Sequence, residues 1–373
     1  MLGLYIHIPF CHSKCRYCDF PSYAHMETFF SDYVDALCRE ISTSHQKGQR
    51  VDTIYFGGGT PSLLSIEQLN RIMTALTKTF TLSTDSEITI EGNPESLYPA
   101  YMRSLVAIGF NRISIGIQSF QPALLQKLGR IHSSEEAVHA VTEAYDAGFA
   151  NISADLMYGL PGQTVAHVQD DVHRLIALPV SHASIYSLIE EEGTWLYRDV
   201  EKGFLSLPKD QDVEAMADCV HSIMSDAGFE HYEISSYALP GKRSRHNSKY
   251  WTYEDYLGFG ASAHSFYGGE RYANIHTIPG YIQKAGHESL HQERVTIDEK
   301  RGQEDFCFLA LRMIDGIEYE AFQKRFGVTI ESQFGPVINH LMEQGFLEKT
   351  ARGCKLTARG LSYGNYVFSQ FIR

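Results

Sequence analysis

The sequence predicts an α/β fold in which a parallel sheet is flanked by helices and a small helical, winged-helix-like domain follows. Three observations lead there. Short apolar runs alternate with amphipathic stretches through the first half of the chain. Capping signals stand directly before several of those stretches. Past Pro208 the rhythm changes, and from Glu304 short amphipathic helices run into a tail that reads as a β-wing.

Leu2 to Ile8 reads as the first strand and Met26 to His45 as a helix. Thr53 to Phe56 is the second strand. A glycine turn follows, then a helix from about Ile66 with Ser65 as cap and Gln68 completing a capping box. Its apolar face is Leu69, Ile72, Met73 and Leu76. Glu87 to Glu91 and Tyr98 to Ile108 form the next strand and helix. Arg112 to Ile117 is a strand, and the helix after Ser133 has a capping box through Glu136. Asn151 to Met157 and Thr164 to Ala177 repeat the pattern, and His182 to Leu188 is the sixth strand. Such βα units build a parallel sheet, with chemistry at the carboxyl ends of its strands. Gly57, Glu91, Gln118 and Asp155 all fall at or near such ends. A helix from Asp210 to Gly228 leads to a strand over Tyr232 to Tyr237. A Gly/Ser/His/aromatic stretch spans His246 to Phe266, and Gly280 to Asp298 reads as a linker. Ile330 to Gln344 is a helix of the last domain. The expected division is a core domain over 1–235, a connecting segment over 236–298 and a C-terminal domain over 299–373.

The chain has 373 residues, 43% apolar, with a formal net charge of −13. That is enough for a sizeable core, and the acidic balance argues against nucleic acid or anionic lipid as the main partner. Lys242, Arg243 and Arg245 are only a local basic cluster. No apolar run approaches the ~20 residues that span a bilayer, and the start lacks the basic region of a secretion signal. The expectation is a cytoplasmic protein with reduced thiols. Of seven cysteines, Cys11, Cys15 and Cys18 crowd together directly after the first strand. A metal site explains this better than a disulfide framework.

Three thiolates can fix three irons of a four-iron cubane and leave the fourth open to a small molecule. The alternative is zinc, with His7, His12 or Asp19 as fourth ligand. Cys38, Cys219, Cys307 and Cys354 are scattered and read as small buried apolar residues. Gly57-Gly58-Gly59-Thr60-Pro61 stands between a strand and a helix, where glycines let backbone approach a ligand. The Gly-Lys-Ser/Thr ending of a nucleotide-binding P-loop is missing.

Together the cysteine triad and the glycine loop resemble the radical S-adenosylmethionine (SAM) superfamily. The resemblance implies a partial six-fold β/α barrel, a [4Fe–4S] cluster on Cys11, Cys15 and Cys18, and SAM chelating the open iron. The motifs are Tyr5-Ile-His-Ile-Pro-Phe-Cys11, Gly57 to Pro61, Glu91-Gly-Asn-Pro-Glu95, Ser114 to Phe120, Leu128-Gly-Arg-Ile-His132 and Asp155 to Gly162. They are similar to the branch around oxygen-independent coproporphyrinogen III oxidase. The resemblance places Tyr5, Tyr17, Gly58, Gly59, Thr60, Glu91, Gln118, Arg130 and Asp155 against SAM. Glu91 would take the methionyl amine and Arg130 the carboxylate. Asp155 and Gln118 would take ribose hydroxyls or nearby polar groups.

Two departures set the sequence apart from the oxidases of that branch. A further cysteine two places after their triad is here Phe20, and only four residues precede Tyr5, so their N-terminal extension is expected to be absent. His246-Asn247-Ser-Lys-Tyr250-Trp251 instead resembles the signature of the branch's haem chaperones, as does the C-terminal segment. This implies haem as a further ligand, with His246, Asn247, Tyr250 and Trp251 at its site, and haem-accepting proteins, respiratory and membrane-bound ones included, as partners. His264, His231 and His276 are alternative ligands. Three functions follow for testing: a haem chaperone, an oxygen-independent coproporphyrinogen III dehydrogenase, and a nucleic-acid binder acting through the C-terminal domain. The sequence leaves open the acceptor, covalent attachment of haem, transient membrane contact, the purpose of SAM cleavage and the oligomeric state.

Overall fold

A computed structural model describes all 373 residues. Six strands follow the expected order: β1 (Leu2–Ile8), β2 (Arg50–Gly58), β3 (Thr81–Gly92), β4 (Arg112–Gln118), β5 (Asn151–Tyr158) and β6 (His182–Ser187). Each pairs in parallel with the next. Between them run α1 (Phe30–Thr43), α2 (Ile66–Thr79), α3 (Pro99–Ala107), α4 (Pro122–Leu128), α5 (Ser134–Asp146) and α6 (Val165–Ile176). The capping boxes at Ser65 and Ser133 form as the sequence indicates, and Thr164 adds a third with His167. Each cap satisfies a backbone N–H that the first helical turn would otherwise orphan. Then come α7 (Trp195–Glu201), α8 (Asp210–Asp226), β7 (Glu230–Glu233) and β8 (Ser236–Ala238). The strand expected over Tyr232–Tyr237 is thus two short antiparallel ones, with a register shift at Ser236.

The segment expected to connect two domains does more than connect. It holds α9 (Arg245–Trp251), β9 (Tyr256–Phe259), β10 (His264–Tyr267), β11 (Glu270–Asn274), α10 (Ile278–Lys284) and β12 (His291–Thr296). β9 pairs in parallel with β1, and β10 to β12 continue antiparallel, giving a sheet of 12 strands ordered β12-β11-β10-β9-β1-β2-β3-β4-β5-β6-β8-β7. The reading of 280–298 as a linker is corrected with it. β12, His-Gln-Glu-Arg-Val-Thr, is almost wholly exposed, and a polar edge strand looks like a loop because it has no second partner to bury against.

The sheet's outer face buries one apolar core, with Ile54, Phe56, Ile90, Ile113 and Ile115 against the helices. The alternate, inward positions are polar: Thr53, Tyr55, Glu91, Arg112, Ser114, Ser153, Asp155 and His182. A second core gathers Phe306, Phe322, Phe334, Ile338 and Phe371 from the C-terminal helices with Tyr253 and Phe266 from the sheet extension. The C-terminal helices are α11 (Glu299–Ala310), α12 (Tyr319–Phe326) and α13 (Ile330–Glu343), followed by the expected hairpin of Leu347–Lys349 and Gly353–Leu356.

The extension is pinned to the barrel by one buried carboxylate. Glu40 on α1 accepts from the Gly260 backbone N–H (2.9 Å), the Asn274 side-chain amide (2.7 Å) and the Tyr281 hydroxyl (2.5 Å). Truncating it strands three buried donors, each costing about 1–3 kcal/mol. Glu40→Ala is therefore expected to lower the melting temperature by several degrees in calorimetry. A change below one degree would show that the extension is held elsewhere.

Candidate functional site

The cysteine loop leaves the carboxyl end of β1 and is tied down on every side. Phe10–Cys11 pairs in parallel with Tyr23–Ala24, and the Thr60 N–H donates to the Phe10 carbonyl at 2.7 Å. The Arg16 N–H donates to the Leu128 carbonyl (3.0 Å), the Leu196 N–H donates to the Arg16 carbonyl (2.8 Å), and Arg16 pairs with Asp199 on α7. Tyr17 packs on a small apolar cluster that includes Leu124, Leu128, Leu160 and Leu196.

His7, weighed in the sequence only as a candidate zinc ligand, forms a clasp instead. Its Nε2 lies 2.9 Å from the Pro21 carbonyl and its Nδ1 2.9 Å from the Tyr5 hydroxyl. A carbonyl only accepts, so Nε2 carries the proton and Nδ1 accepts from Tyr5. Burial pushes the imidazole down to about 4, which keeps this neutral tautomer across the physiological range.

The three thiols are free and partly exposed. Two have donors aimed at them: the Thr60 hydroxyl at Cys11 Sγ (3.7 Å) and Arg130 Nη1 at Cys15 Sγ (3.4 Å). Donors of this kind stabilise thiolates and tune a cluster's potential. No three His, Cys, Asp or Glu side chains converge closely enough for a single ion. Three thiols, two of them with hydrogen-bond donors aimed at sulfur, are a donor set whose chemistry suits an iron–sulfur cluster.

Around the loop stand the other expected contacts. Gly58 has φ +114, a conformation open to glycine, and a methyl on Gly59 would lie 2.5 Å from the Phe10 carbonyl oxygen. A methyl on Gly57 would meet the Glu91 carboxyl at 3.2 Å. Glu91 accepts from the Tyr55 hydroxyl (2.7 Å) and the Gly58 N–H (3.2 Å). Burial pushes its carboxyl up to about 7, with Asp155 adding and the two donors opposing. Asp155, raised by burial to about 6, accepts from Ser114 Oγ at 3.2 Å. Gln118 sits at φ +69 beside a register shift in β4. A non-glycine residue in the left-handed region is uncommon. Arg130 Nη2 donates to Asn93 Oδ1 (2.8 Å) and the Gly116 carbonyl (2.6 Å), while its Nε meets no acceptor. Asn93 also donates to Thr60 Oγ1 at 3.2 Å, a bridging role that sequence reasoning passed over. Tyr5, Tyr17, the glycine loop, Glu91, Gln118, Arg130 and Asp155 thus gather at one end of the barrel with the triad.

His246 lies at the other end. α9 plugs the amino ends of the strands: the backbone N–H groups of Arg245 and His246 donate to the Glu87 carboxylate (3.2 and 3.0 Å). Lys249 reaches the Met1 carbonyl (2.9 Å), Asp52 (3.0 Å) and Glu254 (2.9 Å). His246 is fully buried, with Nδ1 2.9 Å from Thr53 Oγ1 and Nε2 2.8 Å from the Tyr250 hydroxyl. Burial and Lys249 lower it to about 3, so both nitrogens serve a neutral hydrogen-bonded floor. Asn247 stands half-buried on the same helix. Tyr250, whose hydroxyl turns inward to His246, and Trp251 line a groove of about 330 Å³ with Tyr253, Tyr256, Phe266 and Leu309 and the charged Glu254 and Arg271. Arg312 covers one face of Trp251 at 4.3 Å.

The Radical SAM superfamily pattern matches residues 5–175 and the HemN C-terminal domain pattern residues 303–363. The chain is 38% identical to the haem chaperone HemW of Bacillus subtilis, covering 100% of this chain and 99% of that protein. It is 33% identical to the HemW of Escherichia coli, over 100% and 98%. In structure it is similar to the coproporphyrinogen III oxidase HemN of Escherichia coli, with a TM-score of 0.88 at 23% identity, covering 100% of this chain and 90% of that one. That likeness speaks for the fold, α/β with a mostly parallel sheet and a C-terminal helical domain. No helix is long and apolar enough to cross a membrane.

The close approach at Gly59 gives a direct test. Gly59→Ala forces the glycine loop off Phe10 and is expected to weaken iron–sulfur retention during aerobic handling at least several-fold. A variant that holds iron as long as the parent would show that the loop tolerates the shift.

Proposed function

Because the chain belongs to the HemW haem-chaperone family of the radical SAM superfamily, we propose that it binds haem and passes it to acceptor proteins. On this reading the carboxyl end of the barrel holds a [4Fe–4S] cluster and SAM. The full-length relation to proteins named haem chaperones carries the reading, and it favours the chaperone over a porphyrinogen dehydrogenase. The superfamily itself implies the cluster and SAM.

Cys11, Cys15 and Cys18 would hold the cluster, which supplies the electron for reductive cleavage of SAM when both are bound. The chain's own residues orient and enclose. Glu91 offers a carboxylate for the methionyl ammonium. Arg130, whose Nε meets no protein acceptor, would take the carboxylate. Asp155 and Gln118 offer acceptors for ribose hydroxyls. His7 and Arg16 keep the loop from opening to water.

For haem, the groove beside Tyr250 and Trp251 is the favoured site. It is aromatic, open on one side, and lies at the seam between the sheet extension and the C-terminal domain. Its volume is near the lower end of the ~300–1,000 Å³ usual for small-molecule sites, which suits the edge of a macrocycle rather than its whole disc. Flat rings pack well against such walls. His246 contributes from behind, by fixing Tyr250.

Anaerobically reconstituted protein is expected to bind haem stoichiometrically and leave coproporphyrinogen III unchanged. Conversion to protoporphyrinogen would favour the dehydrogenase. Trp251→Ala is expected to weaken haem at least ~10-fold, or about 1.4 kcal/mol, and His246→Gln to lower stability while leaving haem affinity near the parent's. Unchanged affinity in Trp251→Ala, with loss in Phe20→Ala or Trp195→Ala, would move the site to the barrel mouth.

For the cluster, replacing any one of Cys11, Cys15 or Cys18 by Ala is expected to abolish the broad visible iron–sulfur absorbance. A four-iron content retained in all three variants would remove the triad from the site.

A further inference from the structure

Arg112 opens β4 and points into the barrel, where it is among the largest fully buried side chains, 1% exposed. Its Nε and Nη1 meet no protein acceptor, and Thr89, its direct cross-strand neighbour, has a buried hydroxyl that is also without a partner. A guanidinium does not escape burial by losing its proton, as a lysine would. A lone buried cation is therefore costly unless opposite charge stands near.

The charged and titratable groups that face it come from every neighbouring element: Tyr55 on β2, Glu91 on β3, Asp155 on β5, His182 on β6, Tyr232 on β7 and His246 on α9. The histidines are neutral and hydrogen-bonded, His182 between Ser153 (2.8 Å) and Tyr232 (2.8 Å). The phenols are neutral as well. Glu91, two residues along β3 from Arg112's cross-strand partner Thr89, and Asp155, which Ser114 Oγ joins at 3.2 Å, are the acids on its face toward the carboxyl end. Glu87, on the same face toward the amino end, is engaged by the N–H groups of α9, and above them Arg130 also faces Asp155.

We propose that Arg112 is a positioning residue for SAM: a fixed countercharge beneath the site that keeps Glu91 and Asp155 ionised so that they can receive the ligand. It touches neither ligand nor cluster and acts through the two carboxylates. The two carboxylates answer the sulfonium and ammonium of SAM and Arg130 its carboxylate, so site and ligand are complementary.

The sign follows directly. Burial raises Glu91 to about 7 and Asp155 to about 6, and in both Arg112 opposes the rise. Without the cation both carboxyls titrate at higher pH. SAM binding is then lost at neutral pH and recovered in mildly alkaline solution.

The proposal rests on SAM binding at Glu91, and one experiment separates the two. SAM affinity is measured by calorimetry from pH 6 to 9 on anaerobic, cluster-loaded protein: the parent, Arg112→Gln and Arg112→Lys. Arg112→Gln is expected to move the midpoint up by about one pH unit, roughly a tenfold loss on the acid side, and to converge on the parent at the alkaline end. Arg112→Lys is expected to stay within half a unit of the parent. The ligand's own titration is common to all three and cancels. Equal loss at every pH, or an unmoved midpoint, would overturn the role of Arg112. If Arg112→Gln does not fold, Arg112→Lys decides alone: a full-unit shift in it overturns the proposal. A parent that binds no SAM would instead overturn the reading of the site.

Discussion

The structure turns on keeping a buried carboxylate, Glu91, usable inside a barrel. Its Oε1 accepts from Tyr55 and its Oε2 from the Gly58 N–H. Gly57, beside it on β2, leaves that space open: a methyl there would crowd the carboxyl at 3.2 Å and the rings of Tyr5 and Tyr55 at 3.1 and 3.0 Å. Tyr5 in turn holds His7, and His7 holds the cysteine loop through Pro21. One acceptor thus sets the glycine loop, the aromatic lining and, at two removes, the place of the three thiols.

A polar lumen is expensive, and two arrangements make it tenable. The outer face of the same strands is continuously apolar against the helices, so stability comes from the other side of the sheet. The amino end is shut by α9, whose polar residues are nearly all spent on closure: His246 on Thr53 and Tyr250, Lys249 on Asp52 and Glu254. Closing that end keeps the lumen's dielectric low, which strengthens every charge interaction within it.

Legibility in the sequence followed length and periodicity. The six strands and the longer helices of the first half could be read because each carries an apolar run or face and several carry caps. α4, α7 and α9 span seven residues each, too short for a 3.6-residue period to stand out. β9 to β12 were missed for a different reason: their glycine, serine and charge suggest loop, and only pairing along β1 makes β9 a strand. The cysteines, Glu91 and Asp155 stand at or near strand ends that the sequence predicts, whereas Arg130, in the turn after α4, was picked out only through its motif. The direction of His246 was not legible because a histidine beside two aromatics says nothing about it; the ring turns inward, where Thr53 and Tyr250 engage both nitrogens. Arg112 was passed over because its strand looked merely apolar, and its lack of partners exists only in three dimensions.

On the reading proposed above, the two ends of the barrel bear on how one chain would keep radical SAM apparatus and act as a carrier. Thr53, which touches His246, and Gly57, beside Glu91, are four residues apart on β2, about 13 Å at strand rise. The groove lies beyond that floor, outside Tyr250. A porphyrin held there is separated from the carboxyl-end site by the stacked rings of Tyr55 and His246, 5.3 Å between centroids. Hydrogen abstraction needs reacting atoms within about 3–3.5 Å, which this placement forbids. A dehydrogenase must bring the porphyrin side chains to the mouth where SAM is cleaved. A carrier has the opposite need: to hold the ring away from a radical source, on an open face from which it can leave. Placing the aromatic groove behind a sealed floor meets that need with the same barrel.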